Sequence, residues 1–162
     1  MHFFKNVADK ISNAKFLFIS PHKHEMIYNT AAKFGIRSKK IIVKSARRDE
    51  VPLLLSLSKY SVFFIKPCYS KQSSSPTRHG EIMAMGIPLI TNCGIGDVAE
   101  IVKRYNSGVL IKDLNQENYS RYSEMIEDIP FDSQKIRDGA KEYYSLEIAV
   151  KKYAKVYQSI LK

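Results

Sequence analysis

The chain has 162 residues, 44% of them apolar and 26% charged, an ordinary globular balance and enough length for one domain with its own core. No apolar run approaches the ~18 residues needed to span a membrane, Met1-His2-Phe3-Phe4-Lys5 lacks the apolar stretch of a signal peptide, and two cysteines, Cys68 and Cys93, make no disulfide framework; a cytoplasmic protein is expected. The formal net charge of +10 favours anionic partners, including nucleotides and the inner face of an anionic membrane through peripheral association, although a plain solvated surface explains it equally. The cations fall in short clusters at Lys39-Lys40, Arg47-Arg48 and Lys151-Lys152. They do not interleave with aromatics as in RNA-binding sheets, so nucleic acid is not an expected partner.

Phe3 to Asn13 reads as a helix with Phe4, Val7, Ala8 and Ile11 on one face. Phe16-Leu17-Phe18-Ile19 comes next as a strand covered on both sides. Ser20-Pro21 starts a helix to about Phe34, with Met26, Ile27, Ala31 and Phe34 inward, and Gly35 stops it. Ile41-Ile42-Val43 is the next buried strand, Glu50 to Ser58 a short helix with Pro52 in its first turn, and Ser61 to Ile65 a third strand. After Lys66-Pro67 a polar loop reaches Ser74.

The stretch from Ser73 to Thr91 then reads as loop, helix, turn and buried strand. Ser75 is the expected N-cap, Pro76 the first helical residue, Gly86 the left-handed terminus, and Pro88 blocks continuation. Ile82 and Met85 share an inward face. A serine-rich loop feeding a helix N-terminus makes a seat for an anion. Glu81, one turn past Thr77, offers a carboxylate to a sugar or ribose diol. Asp97 and Glu100 form an expected capping box for a helix to Tyr105. Gly108 to Ile111 is the last strand, and helices continue the chain over Asn115–Ile126, Asp132–Tyr144 and Leu146–Leu161. The expected fold is α/β: a Rossmann-like parallel sheet of about five strands, helices on both faces, and a helical carboxyl terminus. The loop after the third strand lies where such sheets bind ligands.

The run Ser-Ser-Pro-Thr-Arg-His-Gly-Glu-Ile-Met-Ala-Met-Gly-Ile-Pro-Leu-Ile-Thr, Ser74 to Thr91, resembles the signature segment of retaining glycosyltransferases of the GT-B type, family 4 (group 1). The looser resemblance extends from Phe16 to Ile111. The family pattern has two glutamates; Glu81 matches the second, and Ser73 stands at the first. The resemblance implies a ribose contact for Glu81, while the sugar contact of the first glutamate has no counterpart at Ser73. It also implies donor-binding positions at Ser73, Ser74, Ser75 and Thr77, the last three to phosphate, a charge-assisted contact from Arg78, and proximity of Ala46 and Arg47 to the nucleotide base.

The same resemblance implies a carboxyl-terminal donor-binding domain over residues 1–162, without the family's usual opening strand and amino-terminal acceptor domain. Its implied substrate is a nucleoside diphosphate sugar, transferred to a glycan or lipid-linked acceptor as in polysaccharide biosynthesis; no further cofactor and no metal are implied. No general base is identifiable, so turnover is expected to need an acceptor domain or a partner subunit. The rival is a non-catalytic binding or assembly module completed by a partner chain.

Three other patterns carry less. Gly94-Ile95-Gly96-Asp97-Val98-Ala99 matches a dinucleotide fingerprint, but Asp97 puts a carboxylate where a pyrophosphate belongs; a tight turn explains it better. His22-Lys23-His24-Glu25 lacks zinc spacing. His79 stands alone as a structural or exposed histidine, and Cys68 and Cys93 read as buried or semi-buried thiols.

Overall fold

A computed structural model describes residues 1–21 and 23–161. The chain divides into two compact units. The first comprises Met1–Ser58 with Ile111–Pro130, and the second Lys59–Leu110 with the chain from Phe131 on.

In the first unit, α1 (His2–Lys10) leads to β1 (Phe16–Ile19), α2 (His24–Lys33), β2 (Ile41–Lys44) and α3 (Val51–Ser56). Strands β1 and β2 pair in parallel, Phe16 opposite Ile41 and Ile19 opposite Lys44. The expected buried run in β2 is corrected: Ile41 and Val43 are buried, but Ile42 is 40% exposed. A strand with one covered face alternates with period two. Helix α2 starts four residues later than Ser20, and Met26 is exposed while Ile27 and Ala31 are buried. Helix α6 (Gln116–Met125), capped by the Asn115 side chain on the Asn118 N–H (2.9 Å), packs on α1. The amides of Gln116 and Asn6 bind each other there, at 2.9 and 3.4 Å.

In the second unit, β3 (Ser61–Val62), α4 (Thr77–Ala84), β4 (Leu89–Asn92), α5 (Val98–Tyr105) and β5 (Gly108–Ile111, its last residue counted with the first unit) precede α7 (Ser133–Tyr144) and α8 (Leu146–Ile160). The sheet order is β3-β4-β5, with β3 parallel to β4. The central strand β4 is buried at all four positions. The regular part of β3 is shorter than the expected Ser61–Ile65. Beyond Phe63, the Asn92 side chain replaces the ladder: Ile65 N–H donates to its Oδ1 and its Nδ2 donates to the Ile65 carbonyl, both at 2.9 Å. Met83, Ile101, Tyr105, Ile136 and Ala140 form the core between α4, α5 and α7. Each large apolar side chain among them contributes roughly 1.5–3 kcal/mol of burial.

Among the described residues five strands alternate with helices, as the α/β reading expects, in one sheet of two strands and one of three. Helix α8 packs only through its first residues; Val150, Tyr153, Val156, Tyr157 and Ile160 are exposed. Among the described residues no helix is long and apolar enough to cross a membrane.

Candidate functional site

The serine loop and the start of α4 belong to the second unit. The helix begins at Thr77, one residue later than expected, with Pro76 as the residue before it. Ser75 is therefore not the N-cap. Its hydroxyl donates to Asp97 Oδ2 instead, at 3.3 Å. The first intrahelical bond runs from His79 N–H to the Pro76 carbonyl (2.9 Å), so the N–H groups of Thr77 and Arg78 precede it. Gly86 closes the turn after the helix at φ +70, as its place predicts. Met85 is half-buried, and Ile82 with Met83 supplies the inward face instead.

The Asp97–Glu100 capping box does not form. Asp97 has helical backbone angles, φ −87 and ψ −2, and no side-chain cap bond. A capping side chain needs an extended residue to swing over the first turn. The Asp97 carboxylate turns to the serine loop and to the end of α7, where Tyr143 Oη donates to Oδ2 at 2.9 Å. Gly96 makes the approach possible. It has φ +36, and a Cβ there would fall 2.0 Å from the Ser74 carbonyl oxygen. The Gly94–Gly96 segment is thus a tight turn seated on the serine loop, with Gly96 N–H donating to the Lys71 carbonyl (3.1 Å).

Behind Ser75 lies a buried polar cluster that sequence reasoning missed. His79 is fully buried and its Nδ1 is hydrogen-bonded to Tyr144 Oη at 3.1 Å. Burial pushes the imidazole pKa down to about 4, against the pull of the Asp97 carboxylate. Burial also pushes the Tyr144 phenol far above its ordinary value. His79 Nε2 and Asp97 Oδ1 are buried with no protein partner. Tyr144 lies flush on α4, since a Cβ on Gly80 would meet its ring at 2.8 Å. The only sequence signal was the adjacent pair Tyr143-Tyr144 at the end of a helix. Nothing local ties it to a residue 65 positions away.

Two concavities meet the segment. A small cavity of about 260 Å³ is lined by Gln72, Ser73, Ser74, Ser75, Gly96 and Asp97. An open groove of about 1270 Å³ runs past Ser75, Thr77 and Glu81, with Arg137, Lys141 and Tyr143 among its other walls. Ser73, Ser75, Thr77, Arg78 and Glu81 are exposed, and Ser74 is half-buried. The structure therefore brings six of the eight expected contacts onto one loop and helix start. Ala46 and Arg47 belong to the first unit. The Arg47 guanidinium there is taken up by Asp49, at 3.2 and 3.0 Å. An exposed pair of this kind is weak.

The remaining candidates take other places. His22 lies outside the described residues. His24 Nε2 is 3.2 Å from Ser45 Oγ. Among the described residues, no group of three or more His, Cys, Asp or Glu is placed to hold a metal. Cys93 is half-buried as expected, but Cys68 is exposed, because it begins the surface loop beyond the third strand.

Parallel strands alternating with helices, and a helical carboxyl terminus, are the architecture of the GT-B glycosyltransferases. The chain belongs to the family of glycosyl transferases, group 1, which it matches over residues 1–143. Its fold is similar to that of AviGT4, a glycosyltransferase involved in avilamycin A biosynthesis: the TM-score is 0.66 at 16% identity, covering 99% of this chain and 47% of that one. It is also similar to WaaG, a glycosyltransferase involved in lipopolysaccharide biosynthesis, with a TM-score of 0.59 at 19% identity over 88% of this chain and 37% of that one. The chain thus spans less than half the length of either structure. No curated protein matches its sequence.

Proposed function

We propose that the chain is the donor-binding part of a retaining glycosyltransferase that takes a sugar from a nucleoside diphosphate sugar. The observation that carries this is the placement of Glu81 and Thr77 along one groove at the start of α4, where the N–H groups precede the first intrahelical bond. Glu81 and Thr77 face the groove that also bears Arg137 and Lys141. A ribose diol suits the carboxylate, and a diphosphate suits the free N–H groups at the start of α4; Arg137 is docked at the other end of that helix, on the Met85 carbonyl (3.4 Å). The helix terminus then stabilises the departing diphosphate as its charge develops. Acceptor binding and turnover are assigned to further protein, in keeping with relatives more than twice as long. The acceptor is a glycan or lipid-linked saccharide, which makes work at a membrane face natural.

A second reading, a binding module completed by a partner chain, draws on the exposed apolar residues of α8. Calorimetric titration with UDP and GDP separates the two. On the first reading one nucleotide binds, and Glu81→Ala weakens it by more than ~1 kcal/mol, the scale of a lost charged hydrogen bond. Absence of binding at millimolar nucleotide favours the second.

A further inference from the structure

The groove and the cavity beside it differ in the cations they offer. Arg137 and Lys141 line the groove along with the carboxylates of Glu81 and Glu147. The cavity has hydroxyls, one amide, backbone and the Asp97 carboxylate, with no cation among its lining residues. A phosphate placed there would meet a negative wall with no counter-charge.

Ser75 sharpens the difference. Its hydroxyl proton is committed to Asp97 Oδ2 (3.3 Å), an oxygen that also takes the Tyr143 proton (2.9 Å). A hydroxyl has one proton and two lone pairs. With its proton turned to Asp97, Ser75 Oγ, which the Tyr144 phenol also approaches, offers a ligand lone pairs rather than a proton.

We propose that Asp97 is a specificity-determining positioning residue: by holding the Ser75 proton it makes this corner an acceptor for a hydroxyl of the donor's sugar. The proposal rests on the donor-site reading above. Asp97 acts through Ser75 rather than on the ligand, because its Oδ1 is buried and its Oδ2 is already shared. Tyr143 fixes the carboxylate from α7, and the Gly96 turn sets it against the loop. The cavity is smaller than the ~300–1,000 Å³ that encloses a whole ligand, which fits a subsite for one part of the donor.

The test is the increment that the sugar adds to binding. UDP, GDP, UDP-glucose and GDP-mannose are titrated calorimetrically into the whole chain, and each conjugate is compared with its diphosphate. Ser75→Ala and Asp97→Ala are expected to lower the conjugate-to-diphosphate affinity ratio about tenfold. The diphosphate affinity falls less than that of the conjugate in both, and the ratio in the double variant is no lower than in either single one. Asp97→Asn, whose amide oxygen still accepts, restores most of the ratio. A merely structural Asp97 would weaken diphosphate and conjugate alike, and that result overturns the proposal, as does an unchanged ratio in Ser75→Ala. Ser75 is exposed, so its variant answers even if Asp97→Ala fails to fold. Absence of binding by all four ligands to the unaltered chain is a separate outcome, which removes the donor-site reading and the proposal with it.

Discussion

Lys40 in the first unit and His79 in the second are both buried, and their surroundings are built differently. Lys40 is 3% exposed, and its ammonium donates to the carbonyls of Ile11 and Ser12, each at 2.9 Å, just past the end of α1. A cation there satisfies carbonyls that a helix terminus leaves open. His79 has one partnered nitrogen and one bare one, and its neighbour Asp97 has a bare oxygen too. The first is a closed structural plug. The second keeps unspent hydrogen-bonding capacity beside the loop that carries the candidate site, a pattern tolerated where function requires it.

The largest expected effect falls on the turn that brings Asp97 to the loop. Gly96→Ala adds a Cβ at φ +36, 2.0 Å from the Ser74 carbonyl oxygen. Backbone must move, so a loss of about 3 kcal/mol or more is expected in urea unfolding. A loss under about 1 kcal/mol would mean that the turn and loop are not held together, and the second cluster would lose its distinction from an ordinary surface turn.

Protonation probes the contrast next. The His79 pKa falls from an ordinary value near 6.5 to about 4 in the folded chain. Between these values the unfolded chain binds a proton that the folded chain does not. Stability therefore rises with pH across this window: the contribution is complete above about 6.5 and lost as pH falls through about 4. Its size is about 3 kcal/mol. Unfolding curves of the unaltered chain and of His79→Gln isolate it by difference, because the variant lacks the titrating group. Equal acid slopes would show that water reaches the imidazole and that the cluster is not sealed.

Much of this architecture is legible in the sequence. Strand and helix alternate as the apolar runs require, helices open beside Asn115 and Asp132 where they are expected, and Gly86 takes its left-handed turn. Glu81 is recognisable from its segment, and its helix presents it on an exposed face. What could not be read is pairing at a distance. A local rule assigns Asp97 to its own helix, and Ser75 to the next; in three dimensions each abandons its cap for the other. Ile42 looks buried by composition, but exposure depends on how many neighbours cover a strand, which no local window contains. Asn92 substituting for a ladder step is equally invisible, since its partner is 27 residues away.

The smallest expected effect is at the closed plug. Lys40→Met keeps the length and apolar stem and removes the ammonium. The carbonyls of Ile11 and Ser12 lose a charged donor, but Ile11 is half-buried and Ser12 exposed, so water can replace part of it. Burial already lowers the Lys40 pKa, a sign that desolvation opposes the charge and offsets some of what the bonds contribute. The net loss is therefore about 1–2 kcal/mol in urea unfolding. Nucleotide affinity should stay unchanged, because the Lys40 ammonium is spent on the carbonyls of Ile11 and Ser12, none of which is an expected donor contact. A variant that unfolds more easily yet titrates UDP or GDP unchanged would mark Lys40 as structural alone. A parallel fall in affinity would break the contrast, because the plug would then serve the site as the His79 cluster does.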